Sequence, residues 1–111
     1  MSHPSKAKGD RAELECAALL TDLIGTPIRR KLGAGRSDDT GDLDGLANWT
    51  LEVKNYANVA TGITQGLADA EREQANAGTQ FGAALIRRRG GHWFAAMTLE
   101  QFAAVVRAVT P

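Results

Sequence analysis

Apolar positions recur along this chain with two periods, near 3.6 and near 2, and the switches between them delimit its elements. From Asp10 to about Ile24, Leu14, Ala17, Ala18 and the run Leu20–Leu23 form a helical stripe. Asp10-Arg11-Ala12-Glu13 has the spacing of a capping box, with Asp in place of the usual Ser or Thr, and Gly25 is placed to end the helix. Thr26–Lys31 reads as a short strand with Pro27 near its start, where a sheet tolerates proline. Asp42–Leu46 and Trp49–Asn55 read as two strands of a tight hairpin turning at Ala47-Asn48. Helical spacing returns over roughly Ile63–Ala77 and stops at Gly78. Phe81–Arg88 and His92–Met97 bracket Gly90-Gly91, a two-residue hairpin signal. Thr98-Leu99-Glu100-Gln101 is a capping box ahead of the apolar helix Phe102–Val109.

The predicted order is αβββαββα. A strand, a helix and a further strand imply a right-handed crossover with the flanking strands parallel, and the hairpins add antiparallel neighbours. The expectation is an α/β fold, a central mixed sheet flanked by helices. At 111 residues the chain makes one domain, expected over 9–111, with 1–8 as a polar, mobile N-terminal arm. Apolar residues at 43% and charged residues at 23% are those of an ordinary globular protein. No apolar run approaches the roughly 18 residues of a membrane span. Met1–Lys8 lacks a signal peptide's apolar stretch, and the lone Cys16 excludes an internal disulfide or a cysteine-rich zinc site. A reducing, cytoplasmic setting is expected. Net charge is zero, so only its distribution carries information: Arg29-Arg30-Lys31 with Arg36 is one basic cluster and Arg87-Arg88-Arg89 another. Such clusters suit phosphate contacts, although a solvated charged face is the commoner explanation.

Strand alternation in Trp49–Asn55 puts Trp49, Leu51 and Val53 on one face and Thr50, Glu52 and Lys54 on the other. An isolated Glu-x-Lys is ordinarily a self-paired exposed face, and an Asp after Gly41 is ordinarily a turn residue. Asp42 precedes Glu52 by a hairpin's length, however, and Leu43, Leu46, Leu51 and Val53 make both strands core strands. Two carboxylates and a lysine converging at one sheet edge can hold a divalent cation and a water, which suits phosphodiester hydrolysis. The Gly-rich loop from Gly33 to Gly41, with Arg36 and Ser37, leads directly into Asp42.

The helix start Gly9…Glu13, Arg29-Arg30, the Gly35…Ser37 loop, Gly41-Asp42-Leu43 and Glu52-Val53-Lys54-Asn55 stand in the order and spacing of PD-(D/E)xK nucleases. In detail the chain resembles the small Holliday-junction resolvases of archaea and phages. The resemblance implies a restriction-endonuclease-like domain and a magnesium- or manganese-dependent endonuclease that cuts branched DNA at four-way junctions. It implies that Asp42, Glu52 and the backbone carbonyl of Val53 ligate the metal. Lys54 would contact the attacking water or a phosphate oxygen, and Glu13 would assist the metal directly or through water. Arg29, Arg30, Lys31, Arg36 and Ser37 would lie along the DNA. A junction has approximate two-fold symmetry and needs paired cuts, so a homodimer is implied. A nicking, repair or restriction-like nuclease, or a silent DNA-binding module, are the alternatives on the same fold.

The chain departs from the family in its second helix, where many relatives carry a glutamine that assists the lysine. Gln65 and Gln74 are the two candidates, and register does not choose between them. Asp44 shares a strand face with Asp42 and is a candidate auxiliary acid, although a solvent-exposed position is the commoner outcome for it. Cys16 reads as a small core residue. Trp93 and Phe94 alternate along one strand, so one of them faces outward; Tyr56 is compatible with stacking on a base or lying against the loop.

Overall fold

This computed structural model describes residues 4–31 and 39–111, in the order α1 (Pro4–Ile24), β1 (Arg29–Arg30), β2 (Leu43–Asp44), β3 (Trp49–Lys54), α2 (Val59–Ala77), β4 (Phe81–Arg88), β5 (His92–Ala96) and α3 (Leu99–Val109). The five strands form one mixed sheet in chain order. β3 and β4, joined through α2, run parallel with Glu52 opposite Ala84 and Lys54 opposite Ile86; the other neighbours are antiparallel. Element order and sheet type are those that the hydrophobic pattern predicts. No helix among the described residues is long and apolar enough to cross a membrane.

Local chemistry explains where boundaries differ from expectation. α1 already begins at Pro4, so Pro4–Lys8 is helical rather than an arm. Asp10 therefore lies inside the helix and caps nothing: it accepts from Lys6 Nζ at 3.0 Å, an i,i+4 pair, and from Arg30 Nη2 at 2.8 Å. After Gly25, the Thr21 hydroxyl accepts the Ile28 N–H at 2.9 Å, which clips the returning chain to the helix. That tether, with Pro27 lacking an N–H, shortens the expected strand Thr26–Lys31 to Arg29–Arg30. β2 is equally short because Gly45 turns with φ 123°, where a Cβ would collide with the Pro27 carbonyl.

α2 starts before the predicted Ile63, since Asn58 Oδ1 accepts the Thr61 N–H at 3.1 Å as an N-cap. The β4–β5 loop spans Arg89-Gly90-Gly91, one residue longer than the two-residue turn expected, and closes with Gly91 N–H to Arg88 O at 3.1 Å. Thr98 caps α3 as predicted, its hydroxyl accepting the Gln101 N–H at 3.1 Å. The Gln101 side chain does not complete the box: it accepts from Gly82 N–H and donates to Gln74 Oε1, both at 3.1 Å.

The sheet's two faces are packed differently. Ala12, Cys16 and Ala17 of α1 close an apolar core with Ile28, Leu43, Leu51, Val53, Ala83 and Leu85. Trp93 packs against that core, and Phe94 is the outward-facing member of the pair. Burial pushes the Cys16 thiol up to about 12, which leaves it a packing residue rather than a nucleophile. α2 covers the opposite face through Gly62, Gly66, Asp69, Ala70 and Glu73. A Cβ on Gly66 would lie 2.9 Å from Ala84 Cβ and 3.2 Å from both Ile86 Cδ1 and Lys54 Cγ, so only glycine lets the helix sit this close over Lys54.

Candidate functional site

Asp42 is fixed before its carboxylate does anything. Its N–H donates to Leu51 O and its carbonyl accepts from Lys31 N–H, both at 2.8 Å, which holds it between the first and third strands. Its Oδ2 then accepts the Val53 N–H at 2.8 Å. Strand alternation turns Glu52 to the α2 side, where it lies beside Asp42 and 3.4 Å from Lys54 Nζ. The expected strand face thus carries Asp42, Glu52 and Lys54 together, with the Val53 backbone joined to Asp42 through its N–H.

Two elements bring further acids that the sequence did not single out. Glu73, facing the sheet from α2, is 1% exposed, and Asp39 is buried on the segment leading to Asp42. Asn76 Nδ2 donates to the Asp39 carbonyl at 2.9 Å, which ties that segment to α2. One carboxylate oxygen from each of Asp39, Asp42 and Glu73 lies within 4.8 Å of the others. Glu52 Oε2 and Glu73 Oε2 are buried without a hydrogen-bond donor.

Burial, reinforced by the Glu52 charge, pushes the Asp42 carboxyl up to about 8. Burial and the bond to Glu73 push Glu52 up to about 8, and burial lifts Glu73 to about 7. Without a cation these acids retain protons near neutrality. An all-oxygen donor set with two buried oxygens lacking partners fits a hard divalent cation.

Lys54 belongs to a separate arrangement. Its Nζ donates to Asp69 Oδ2 at 2.6 Å, and Asp69 Oδ1 accepts from Gln65 Nε2 at 3.1 Å and from Arg72 Nη1 at 3.0 Å. Burial opposes the ammonium charge, but the Asp69 bond and the Glu52 charge outweigh it and keep the pKa above its ordinary value. The helix partner of the lysine is therefore Asp69, with Gln65 behind it. Gln74 is turned away: its amide donates to the carbonyls of Thr79 and Gln80 at 3.2 and 3.1 Å. The Tyr56 ring centroid lies 5.7 Å from Lys54 Nζ, and a groove of about 350 Å³ beside it is lined by Lys8, Gly9, Val53, Lys54, Asn55 and Tyr56.

The remaining expected residues are dispersed. Glu13 Oε1 accepts from Arg30 Nε at 2.9 Å, and burial followed by the Asp42 charge raises its pKa, so it flanks the cluster from the α1 side. Arg30 is thereby committed to Asp10 and Glu13, and Lys31 Nζ donates to Thr40 Oγ1 at 3.1 Å. Arg29 is exposed, so the basic run does not form one patch. Asp44 is exposed and takes the Gly45 N–H. Arg36 and Ser37 lie outside the described residues.

Helical periodicity was the available signal for the missed acids. Gly62, Gly66 and Ala70 make a small-residue stripe that can only be a packing face, and Asp69 and Glu73 fall on it. Asp39 carries no such mark. Compared with known proteins, the chain matches no family model, no curated protein and no solved structure.

Proposed function

We propose that the protein is a metal-dependent endodeoxyribonuclease with a restriction-endonuclease-like fold, acting on four-way DNA junctions as a homodimer in the reducing cytoplasm. The observation that carries the reading is the convergence of Asp42 and Glu52 from adjacent strands, with Lys54 at 3.4 Å from Glu52 on the same sheet face. The αβββαβ order and the parallel β3–β4 pair support the fold assignment.

Asp42 and Glu52, with the Val53 backbone, would hold magnesium or manganese, and Glu13 would support it from α1. The bound ion supplies a water of lowered pKa and neutralises charge at the scissile phosphate. Lys54 stays protonated beside Asp69 and Glu52, so its part is electrostatic: it stabilises negative charge on the phosphate and does not abstract a proton. Asp69 positions the ammonium and Gln65 positions Asp69. The groove along Lys8, Asn55 and Tyr56 gives a phosphate backbone an approach to that ammonium.

The test compares a synthetic four-way junction with linear duplex of the same sequence, in magnesium and in chelator. Magnesium-dependent cutting confined to the junction is expected. Equal cutting of both substrates would overturn the resolvase reading and retain the nuclease. If no DNA is cut in magnesium or manganese, the enzyme reading fails.

A further inference from the structure

We propose that the α3 face carrying Leu99, Phe102, Val106 and Val109 docks a second copy of this chain, helix against helix and antiparallel. The inference rests on the homodimer in the reading above and gives it a surface.

The face is apolar and bare. Its four side chains are 78%, 55%, 39% and 75% exposed, and no residue of α3 is buried. They stand at spacings of three, four and three, the a and d positions of a helix-pairing seam. A different flank meets the domain: Gln101 is bonded to Gly82 and Gln74, and Ala104 and Val105 are half-buried beside it. A helix of 11 residues is marginal by itself, and this one leaves its largest side chains in water.

Two features select a second copy. Spacing of three, four and three reads the same in both directions. A two-fold axis level with Ala104 therefore sets Phe102 against Val106 of the other copy and Leu99 against Val109, a self-complementary contact. In an antiparallel pair the positions bordering the seam face their own counterparts, so a charge there would meet itself. Those positions are Thr98, Ala103, Val105 and Thr110, all uncharged, and the helix's two charges, Glu100 and Arg107, lie on the side away from the seam.

The location also suits paired cuts. Gln101 fastens α3 at the Gly82 end of β4, opposite Thr50, whereas Lys54 stands opposite Ile86, roughly 13 Å further along the strands. Docking there leaves both Lys54 grooves open.

Sedimentation equilibrium of the full chain, in chelator and without DNA, tests the seam. A dimer dissociating in the micromolar range is expected, because one helix per copy makes a small interface. Phe102→Glu and Val106→Glu should each weaken it at least about tenfold with circular dichroism unchanged. Leu23→Glu, at an 81% exposed apolar position on α1, should leave it intact. Phe102→Cys chains mixed with Val106→Cys chains under mild oxidant should link to each other, and neither should link to itself. Cys16 does not compete, since it is buried and its thiol is pushed up to about 12. A monomer throughout, a dimer indifferent to Phe102→Glu, equal loss in Leu23→Glu, or self-linked Val106→Cys would each overturn the seam. Should a glutamate variant fail to fold, the cysteine pair decides. A seam dimer that cuts no DNA keeps this surface while removing the nuclease reading. Junction cutting by a chain whose dimer ignores Phe102→Glu removes the surface and keeps the nuclease.

Discussion

The two faces of β3 are buried to similar depth and made of opposite materials. Leu51 and Val53 meet Ala12, Cys16 and Ala17 of α1, an apolar contact that stabilises the fold in proportion to the area removed from water. Glu52 and Lys54 meet Asp69 and Glu73 of α2, where acids lie against acids and two carboxylate oxygens have no donor. Stability alone explains the first face. The second works against folding when its acids are charged and unpartnered, and it is the face on which the proposed cation would sit.

Substitution should separate the two faces most sharply at the acids. Asp42→Asn and Glu52→Gln are expected to lower magnesium-dependent junction cleavage by at least about 100-fold. In chelator above about pH 8, where Asp42 and Glu52 ionise, both variants should melt above the wild type, since an amide beside the remaining acids replaces a repelling charge with a donor. They should also bind DNA no more weakly than the wild type. Parallel loss of activity, melting temperature and DNA binding would mean that the acids are structural. On the apolar face, Leu51→Ala should cost about 2–5 kcal/mol in chemical denaturation. Its residual activity per folded molecule should be that of the wild type, and a selective loss of turnover would show that the two faces are not separate.

What the chain disclosed in advance follows the same division. Alternation in Trp49–Lys54 is a local property, so the acid and the lysine were legible as one strand face. The hairpin length brought Asp42 to it. The β4–β5 pair and the Thr98 cap were legible for the same reason. Asp69 and Glu73 were missed, because acids in Asp-Ala-Glu-Arg-Glu look like a solvated helix surface unless the Gly62, Gly66 and Ala70 stripe is read as the face that meets the sheet. The start of α1 was hidden by Gly9 and Asp10, which resemble a helix opening; the helix begins at Pro4, which leaves Asp10 in its interior. Asp39 was hidden by its place in a loop, and it is tertiary contact with Asn76 that sets it beside the cluster.

Asp69 offers a finer distinction between packing and chemistry within the polar face. Asp69→Asn keeps an acceptor for Lys54 and removes the charge that holds the ammonium pKa up. Cleavage at neutral pH should fall by about 10- to 100-fold through loss of positioning. The alkaline limb of the pH–rate profile, which requires protonated Lys54, should move down by about 1–3 units. A uniform drop with an unmoved limb would make Asp69 a structural residue only.

The pH dependence of stability without metal has a distinctive sign. Asp42, Glu52 and Glu73 have ordinary values of 3.8, 4.5 and 4.5, raised in the fold to about 8, about 8 and about 7. Between those limits the folded chain holds more protons than the unfolded one, so stability falls as pH rises. The contribution is complete below about pH 4 and is lost as pH passes through 7 to 8. In chelator, the melting temperature should therefore fall between pH 5 and 8. Magnesium should reverse the trend, because the ion binds only the deprotonated acids and its stabilisation grows with pH. Glu52→Gln should flatten the chelator slope, while Leu51→Ala should lower the whole curve without changing its slope. A wild-type curve that is level from pH 5 to 8 in chelator would show that the acids meet water rather than one another, and the contrast between the two faces would vanish.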